Sequence, residues 1–436
     1  MKQKGIIMNI SKLKEIIFEH KTGFLRNENL TFRNILNDDK IINSKEIIVI
    51  TGVRRSGKSS LLKLIARNIL ENGIDVKNIL YINFDDDRLI NFSVSDFDNL
   101  MSAFLELNNP DGKYYIFLDE IQNVYLWEKW VNRMYELQES KIFVTGSNSS
   151  LMHSDYSTLL TGRTRAIVNY PFSFAEHLSF KKIEIAKDNF YDKKYVNKIK
   201  IELNKYYQFG GFPEVLINED LSLLQQYFKD ILYRDIIAKN GIKKSKEVME
   251  LALILSSDIA SLKTYNSLQN TLKISLNSVK SYFNYFSDSY LFMQLSLFDY
   301  SIKKQIYNAK KNYCIDISLA QSVSFTTSAN EGRNYENLIY LELIRRGHDV
   351  YYWKSSNDKE VDFIIKKGIK PVQAIQVSVN ISSEETLNRE IEGLLEAYRE
   401  LKIKDLLLLT RDEESTIIND GIEIRILPFW KYLISS

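Results

Sequence analysis

The stretch Glu46–Leu62, EIIVITGVRRSGKSSLL, constrains the fold of this chain more than any other. Glu46 to Thr51 is mostly Ile and Val with no breaker, which predicts a buried strand. Gly52-Val53-Arg54-Arg55-Ser56-Gly57-Lys58-Ser59 then fits G-x-x-x-x-G-K-[ST] at every fixed position. Leu61, Leu62, Leu64 and Ile65 follow at helical spacing. Strand, glycine loop and helix are the setting that a phosphate-binding loop requires. Gly52 and Gly57 let backbone N–H groups curl around phosphate oxygens with no Cβ in the way. The helix aims its first N–H groups at the same anion. Lys58 supplies a point charge to the outer phosphates, and Ser59 a hydroxyl to Mg²⁺. Ser60 completes the set of binding candidates that starts at Gly52.

Strands and helices alternate through residues 46–180. Strands are expected at 46–51, 79–84, 114–118, 141–145 and 166–169, with helices between them. That is the pattern of a parallel sheet covered on both faces, with ligands at the carboxyl ends of its strands. The strand Tyr114–Leu118 ends in Asp119-Glu120, the Walker B pattern of four apolar residues and two acids. Asp119 is expected to hold Mg²⁺ through water, and Glu120 to polarise an attacking water as general base. The strand Lys141–Thr145 ends in Gly146-Ser147-Asn148, where Ser147 and Asn148 can reach the γ-phosphate or the lytic water. An arginine just before the last strand is placed to face a neighbouring subunit's nucleotide and stabilise charge on the phosphoryl group. Arg163 is the first candidate and Arg165 the second, with a purely structural arginine as the alternative. Residues 1–45 read as an amphipathic helical lead-in, with Ile10, Leu13, Ile16 and Ile17 on one face and a place over the nucleotide base.

Composition sets outer bounds. At 436 residues the length suggests two to four domains, and 44% hydrophobic content supplies sizeable cores. A net charge of +2 gives no whole-chain field for nucleic acid or membrane, so any basic surface must be local. One cysteine, Cys314, excludes a disulfide within the chain and points to a reducing compartment. The four histidines have no zinc spacing. No apolar run reaches the roughly 18 residues of a membrane span, and the N-terminus is too short in apolar residues for a signal peptide. A cytoplasmic location with no membrane partner is expected.

Residues 181–245 read as a helical lid with apolar spacing at Leu223, Leu224, Tyr227, Phe228, Ile231 and Leu232. Residues 246–325 read as three helices, Val248–Ala260, Thr264–Leu272 and one from Ser275, then strands near 291–298 and 311–316. Three helices and a two-stranded wing make a winged helix-turn-helix, whose third helix enters a major groove. Leu276, Val279, Phe283 and Phe286 face inward; Asn277, Ser278, Lys280, Ser281 and Asn284 face out. Residues 263 to 311 carry seven Lys/Arg against two Asp/Glu, a local excess suited to phosphate contact. Such units also serve as lids or protein contacts. Residues 330–436 run helix, three strands, helix, two strands.

Several stretches now carry a family resemblance. GVRRSGKSSLL, FLDEIQNVYLWEKW, VTGSNSSLM, LTGRTRAIVNYPFSFAEH and YYQFGGFPEVL, in this order, look like the prokaryotic AAA-type ATPases grouped with archaeal ATPases. They are similar to the STAND branch of the AAA+ class. The resemblance implies ATP and Mg²⁺ as ligands and an ATP-driven switch. It also places Pro213, in Gly210-Gly211-Phe212-Pro213, near the adenine; from the residues alone this stretch is a tight turn before a helix. Tyr233-Arg234-Asp235 falls on a recurrent family motif, where Arg234 senses nucleotide or pairs with a carboxylate. The C-terminal unit, with Glu336, Glu360-Val361-Asp362 and Gln376-Val377-Ser378, resembles the PD-(D/E)XK restriction-endonuclease-like fold. Gln376 stands where that fold has an acid and Ser378 where it has lysine, so cleavage is not expected.

The expected fold is therefore α/β. It comprises a P-loop NTPase parallel sheet (1–180), a helical lid (181–245), a winged helix-turn-helix (246–325) and a degenerate restriction-endonuclease-like domain (330–436). The expected activity is Mg²⁺-dependent ATP hydrolysis driving a switch coupled to double-stranded DNA, with further copies of the chain as candidate partners. The rivals are an ATP-regulated protein-interaction switch and an ATP-gated nuclease.

Overall fold

The computed structural model describes residues 8–149, 160–324 and 331–435. The chain divides after Asn169 into two compact units.

In the first unit five strands, β1 (Ile47–Thr51), β2 (Ile79–Asn83), β3 (Tyr114–Asp119), β4 (Ser140–Thr145) and β5 (Thr164–Val168), pair in the order β2-β3-β4-β1-β5. All four pairings are parallel. Alternation along β1 explains the two-sided core. Ile47 and Val49 enter one apolar cluster, Ile48 and Ile50 the other. The α-helices among the unit's described residues include α1 (Ile10–Phe24), α2 (Lys40–Asn43), α3 (Lys58–Glu71), α4 (Phe97–Asn108) and α5 (Trp127–Leu137). On α3, Leu61, Leu62, Ile65, Ala66 and Ile69 form the buried face against Ile48 and Ile50. Burial of each large side chain there is worth about 1.5–3 kcal/mol. This is the P-loop NTPase sheet that the sequence predicts.

Helix α1 forms as expected, capped by Asn9, whose side chain accepts from Ser11 N at 2.8 Å. Its place is at the edge of the sheet. It runs along the edge strand β2: Phe24 stacks on Tyr81 with centroids 3.9 Å apart, and Asn83 N donates to His20 Nδ1 at 3.3 Å. The helix thereby covers a sheet edge that would otherwise present unpaired backbone.

In the second unit the segments expected as lid, winged helix and C-terminal domain form one compact body. Its helical part comprises α6 (Phe174–Phe180), α7 (Lys193–Phe209), α8 (Pro213–Asn218) and α9 (Ser222–Asp230), the last continuing as a π-helical stretch, Ile231–Ala238. The glycine pair after α7 has a steric reason. A Cβ on Gly210 would lie 2.3 Å from Asp316 Oδ1, and one on Gly211 would lie 2.3 Å from Phe172 O. Asp316 also accepts from Gly211 N at 2.7 Å.

The middle part holds α10 (Ser245–Ser257), β6 (Leu262–Lys263), α11 (Tyr265–Leu272), α12 (Leu276–Asp288), β7 (Phe292–Leu295), α13 (Ile302–Tyr307) and β8 (Lys310–Cys314). Thr264 and Ser275 cap α11 and α12. Val279, Phe283 and Phe286 are buried, as the spacing predicts. Two features depart from the expected two-stranded wing. A third strand makes an antiparallel sheet of order β6-β8-β7, and the β7–β8 connection carries a helix.

After α14 (Ile317–Gln321) and α15 (Glu331–Arg345), six strands form the last sheet. They are β9 (Asp349–Lys354), β10 (Glu360–Lys367), β11 (Lys370–Val377), β12 (Asp405–Thr410), β13 (Ser415–Asn419) and β14 (Ile422–Pro428), in the order β13-β14-β12-β11-β10-β9. Helix α16 (Glu384–Leu401) precedes β12, and α17 (Phe429–Ile434) follows β14. Strand β13 is additional to the expected set.

Candidate functional site

Strand β1 delivers the glycine loop at its carboxyl end, and the residue after β5 fastens it. Asn169 N donates to Thr51 O at 2.7 Å, and Asn169 Nδ2 donates to Ser56 O at 2.9 Å. Arg33 Nη1 reaches the same Ser56 carbonyl at 3.3 Å. Gly52 has φ 145°, and a Cβ there would fall 2.3 Å from Asn169 O. Gly57 has φ 90° and turns the chain into α3. The loop therefore depends on both glycines, and a side chain at the first would collide with the Asn169 backbone.

Lys58 is buried, with Nζ donating to Gly52 O at 3.1 Å and Val53 O at 3.2 Å. Phosphate oxygens would exchange these neutral acceptors for charged, stronger ones. Ser59 is exposed at the start of α3, where its hydroxyl can meet a metal ion. The other candidates in the loop divide by exposure. Val53 and Ser56 are buried, Arg55 stands exposed with φ 68°, and Arg54 and Ser60 are half-buried.

Asp119 ends β3, two strands from β1, and is 1% exposed. Its Oδ2 accepts from Tyr81 OH at 3.0 Å, and its Oδ1 accepts from the hydroxyl of Thr145 at the end of β4. The same Thr145 oxygen accepts from Glu120 N at 3.0 Å. Burial and the neighbouring Asp119 push the Tyr81 hydroxyl pKa well above its usual value, so it remains a donor. With both oxygens engaged, Asp119 suits contact with a metal through water. Glu120 sits in a left-handed turn, φ 52°, and its carboxylate accepts from Gln122 Nε2 at 2.5 Å. Ser147 and Asn148 are buried just past β4, at the same end of the sheet. Sequence reasoning missed Tyr81, Thr145, Asn169 and Arg33. Thr145 and Asn169 were open to the rule that strand carboxyl ends carry ligand chemistry.

The arginines lie elsewhere. Thr164 pairs with Ile47 at the amino end of β1, so Arg163 and Arg165 sit at the sheet end opposite the glycine loop. Arg163 donates to Asn132 Oδ1 and lies 2.6 Å from Glu136 Oε1, both on α5. Arg165 pairs with Glu46 at 2.9 Å and Asp38 at 3.1 Å. The register holds Arg163 away from its own chain's loop; toward a neighbouring copy, the role expected of it, it presents a guanidinium paired with Glu136. In the second unit Pro213 occupies the first turn of α8, and Arg234 is exposed on the π-helical stretch.

Glu336 Oε1 on α15 and Asp362 Oδ1 on β10 each lie 2.8 Å from Lys311 Nζ on β8. Gln376 faces the same region: its Oε1 accepts from Asp362 N at 3.1 Å and its Nε2 donates to Glu390 Oε2 at 2.7 Å. Ser378 points away, to Asn380 O at 3.3 Å. Among the described residues no helix is long and apolar enough to cross a membrane.

Residues 44–178 match the family described as an AAA domain. Residues 200–330 and 331–432 match two domains of unknown function, DUF8612 and DUF4143. An uncharacterized protein of Methanocaldococcus jannaschii is 33% identical over 98% of this chain and 98% of its own. One of Haemophilus influenzae is 30% identical, covering 88% of this chain and 94% of its own. Among solved structures, the Aeropyrum pernix ORC1 protein in complex with DNA aligns with 73% of this chain and 93% of its own, at 11% identity and a TM-score of 0.29.

Proposed function

This chain belongs to the family of that Methanocaldococcus jannaschii protein and carries an AAA domain, and from this premise we propose that it binds ATP with Mg²⁺ and hydrolyses it to drive a conformational switch. The observation that supports this most is the meeting of three strand ends. The glycine loop after β1, Thr145 at the end of β4 and Asp119-Glu120 at the end of β3 share one end of the sheet, where the Thr145 hydroxyl joins the last two. In this reading loop N–H groups and Lys58 bind the phosphates, Glu120 takes a proton from the attacking water, and Ser147 and Asn148 orient it. Ser59 and Asp119 would hold Mg²⁺, which neutralises phosphate charge when bound.

DNA is the proposed partner of the switch. The three helices with their antiparallel sheet are read as a winged helix-turn-helix. A groove of 440 Å³ beside α12 is lined by Lys263, Lys280, Lys310, Tyr265, Asn266 and Tyr307, a mixture of charge and aromatic faces suited to nucleic acid. A protein-interaction switch is the second reading, favoured by Tyr300, Ile302, Ile306 and Tyr307, which are 72, 72, 60 and 77% exposed around α13. The C-terminal domain is read as nuclease-like without cleavage chemistry, since Ser378 carries no charge and Gln376 is bound to Glu390.

The deciding experiment measures phosphate release from ATP with Mg²⁺, then binding to duplex DNA titrated with salt in ATP and in ADP. Turnover, with DNA affinity that falls steeply with salt and differs between nucleotides, is the expected result. Absence of turnover removes the ATPase; turnover without DNA binding moves the partner to protein.

A further inference from the structure

Strand β8 carries Lys311 and Tyr313 two residues apart, so both side chains leave the same face. Both reach carboxylates of the C-terminal domain. Lys311 Nζ lies 2.8 Å from Glu336 Oε1, 2.7 Å from Glu360 Oε1 and 2.8 Å from Asp362 Oδ1. Tyr313 OH donates to the same Glu336 oxygen at 2.6 Å.

The acids are aimed there by the fold. Glu336 comes from the buried face of α15. Glu360 and Asp362 come from β10, where Val361 pairs with Trp353 but Ile364 pairs with Tyr351. The extra residue is a bulge, and bulges re-aim side chains. Asp362 is then pinned by Val377 N, which donates to its Oδ2 at 3.0 Å.

An ammonium offers three donors, and this one meets three carboxylates at charge-assisted lengths. Those contacts are longer than the roughly 2.0–2.6 Å that Mg²⁺ or Ca²⁺ takes to oxygen. Among the described residues no group of three or more acids, histidines or cysteines is arranged to hold a metal ion. The Lys311 side chain is 3% exposed, and burial alone would discharge it; the three carboxylates outweigh that and hold it charged.

We propose that the ammonium of Lys311 is the resident cation of this cluster. It neutralises Glu336, Glu360 and Asp362 in place of a metal ion, makes the C-terminal domain independent of metal, and ties β8 to β10 and α15. Removing it leaves three converging acids with Lys354, 3.8 Å from Glu360 Oε2, as the remaining cation beside them, a latent divalent site. This goes beyond the ATPase reading and does not depend on turnover.

The test uses the full chain, free of nucleotide, and dependence on Asp362 separates this cluster from the glycine loop. Ca²⁺ is titrated calorimetrically, its flexible coordination tolerating oxygens set for an ammonium. With Lys311 present, no Ca²⁺ binding that depends on Asp362 is expected. Adding Lys311→Ala is expected to lower the melting temperature and to create one Ca²⁺ site, lost again with Asp362→Asn. Two results overturn the proposal: Ca²⁺ binding with Lys311 in place that Asp362→Asn abolishes, or a folded Lys311→Ala protein that gains no site. Should Lys311→Ala fail to fold, the titration with Lys311 present decides alone.

Discussion

The Thr145 hydroxyl donates to Asp119 Oδ1 while its oxygen accepts the backbone N–H of Glu120. One side chain thus fixes both acids at the end of β3. Thr145→Val keeps the shape and removes the hydroxyl, which leaves a buried carboxylate oxygen short of a donor and a backbone N–H short of an acceptor. Phosphate release is expected to fall about 10- to 100-fold, the worth of roughly 1.4–2.8 kcal/mol. Affinity for a fluorescent ATP analogue is expected to stay within a few-fold, and Thr145→Ser to restore turnover. Equal losses in binding and turnover would show that Thr145 supports the fold and not the chemistry.

Lys58 and Glu120 separate binding from hydrolysis. Lys58 Nζ already sits against loop carbonyls, so Lys58→Ala removes the charge that phosphates would claim. Nucleotide affinity is expected to drop by about 100-fold, in line with a loss of roughly 3 kcal/mol for a charged hydrogen bond. Glu120→Gln keeps the contact with Gln122 but cannot take a proton. It is expected to bind ATP normally and to hydrolyse it about 100- to 10,000-fold more slowly. Undiminished turnover in both variants would move the catalytic site elsewhere.

Asn169 makes a separate test of the loop's support. Asn169→Ala deletes the Nδ2 contact with Ser56 O but leaves its backbone bond to Thr51. About 1–3 kcal/mol of local stability is expected to go with it, read as faster amide exchange across residues 52–57 and weaker ATP binding. Gly52→Ala is expected to be worse, because its Cβ would meet backbone, not a side chain that can rotate. Equal binding by the wild-type and Asn169→Ala proteins would leave the cradle to the two glycines and the Arg33 contact with Ser56 O.

Local pattern made the first sheet and its glycine loop readable, since β1, β2 and β3 are built on apolar runs and the loop has fixed residue types. The missed strand β13 also had a local signal. Asp420-Gly421, both at positive φ, is a two-residue hairpin turn between Asn419 and Ile422. The contacts that stayed hidden are long-range. Nothing near Arg33 announces Ser56, and nothing near Arg163 announces Glu136. Lys311, in a basic run that suggested phosphate contact, instead points inward to acids up to 51 residues away in the chain. Whether a lysine is solvated or buried is decided by the fold, and its neighbours in sequence carry little of that information.

His177 gives the second unit a pH dependence. Its side chain is 0% exposed, and Nε2 lies 3.0 Å from Glu202 Oε2. Burial holds the imidazole pKa below its usual value, with Glu202 opposing only in part. The unfolded chain therefore takes up a proton near pH 6.5 that the native state resists. Stability from this group is present above pH 6.5 and is lost as pH falls below it toward the folded-state pKa, at most about 1.4 kcal/mol per pH unit for one proton. His177→Gln can keep a donor for Glu202 without a titrating ring. Urea melts at successive pH values between 7 and 5 are expected to show a shallower loss in the variant than in the wild-type protein. Parallel curves would mean that His177 gains its proton in the native state as readily as in the unfolded one, and that burial does not control it.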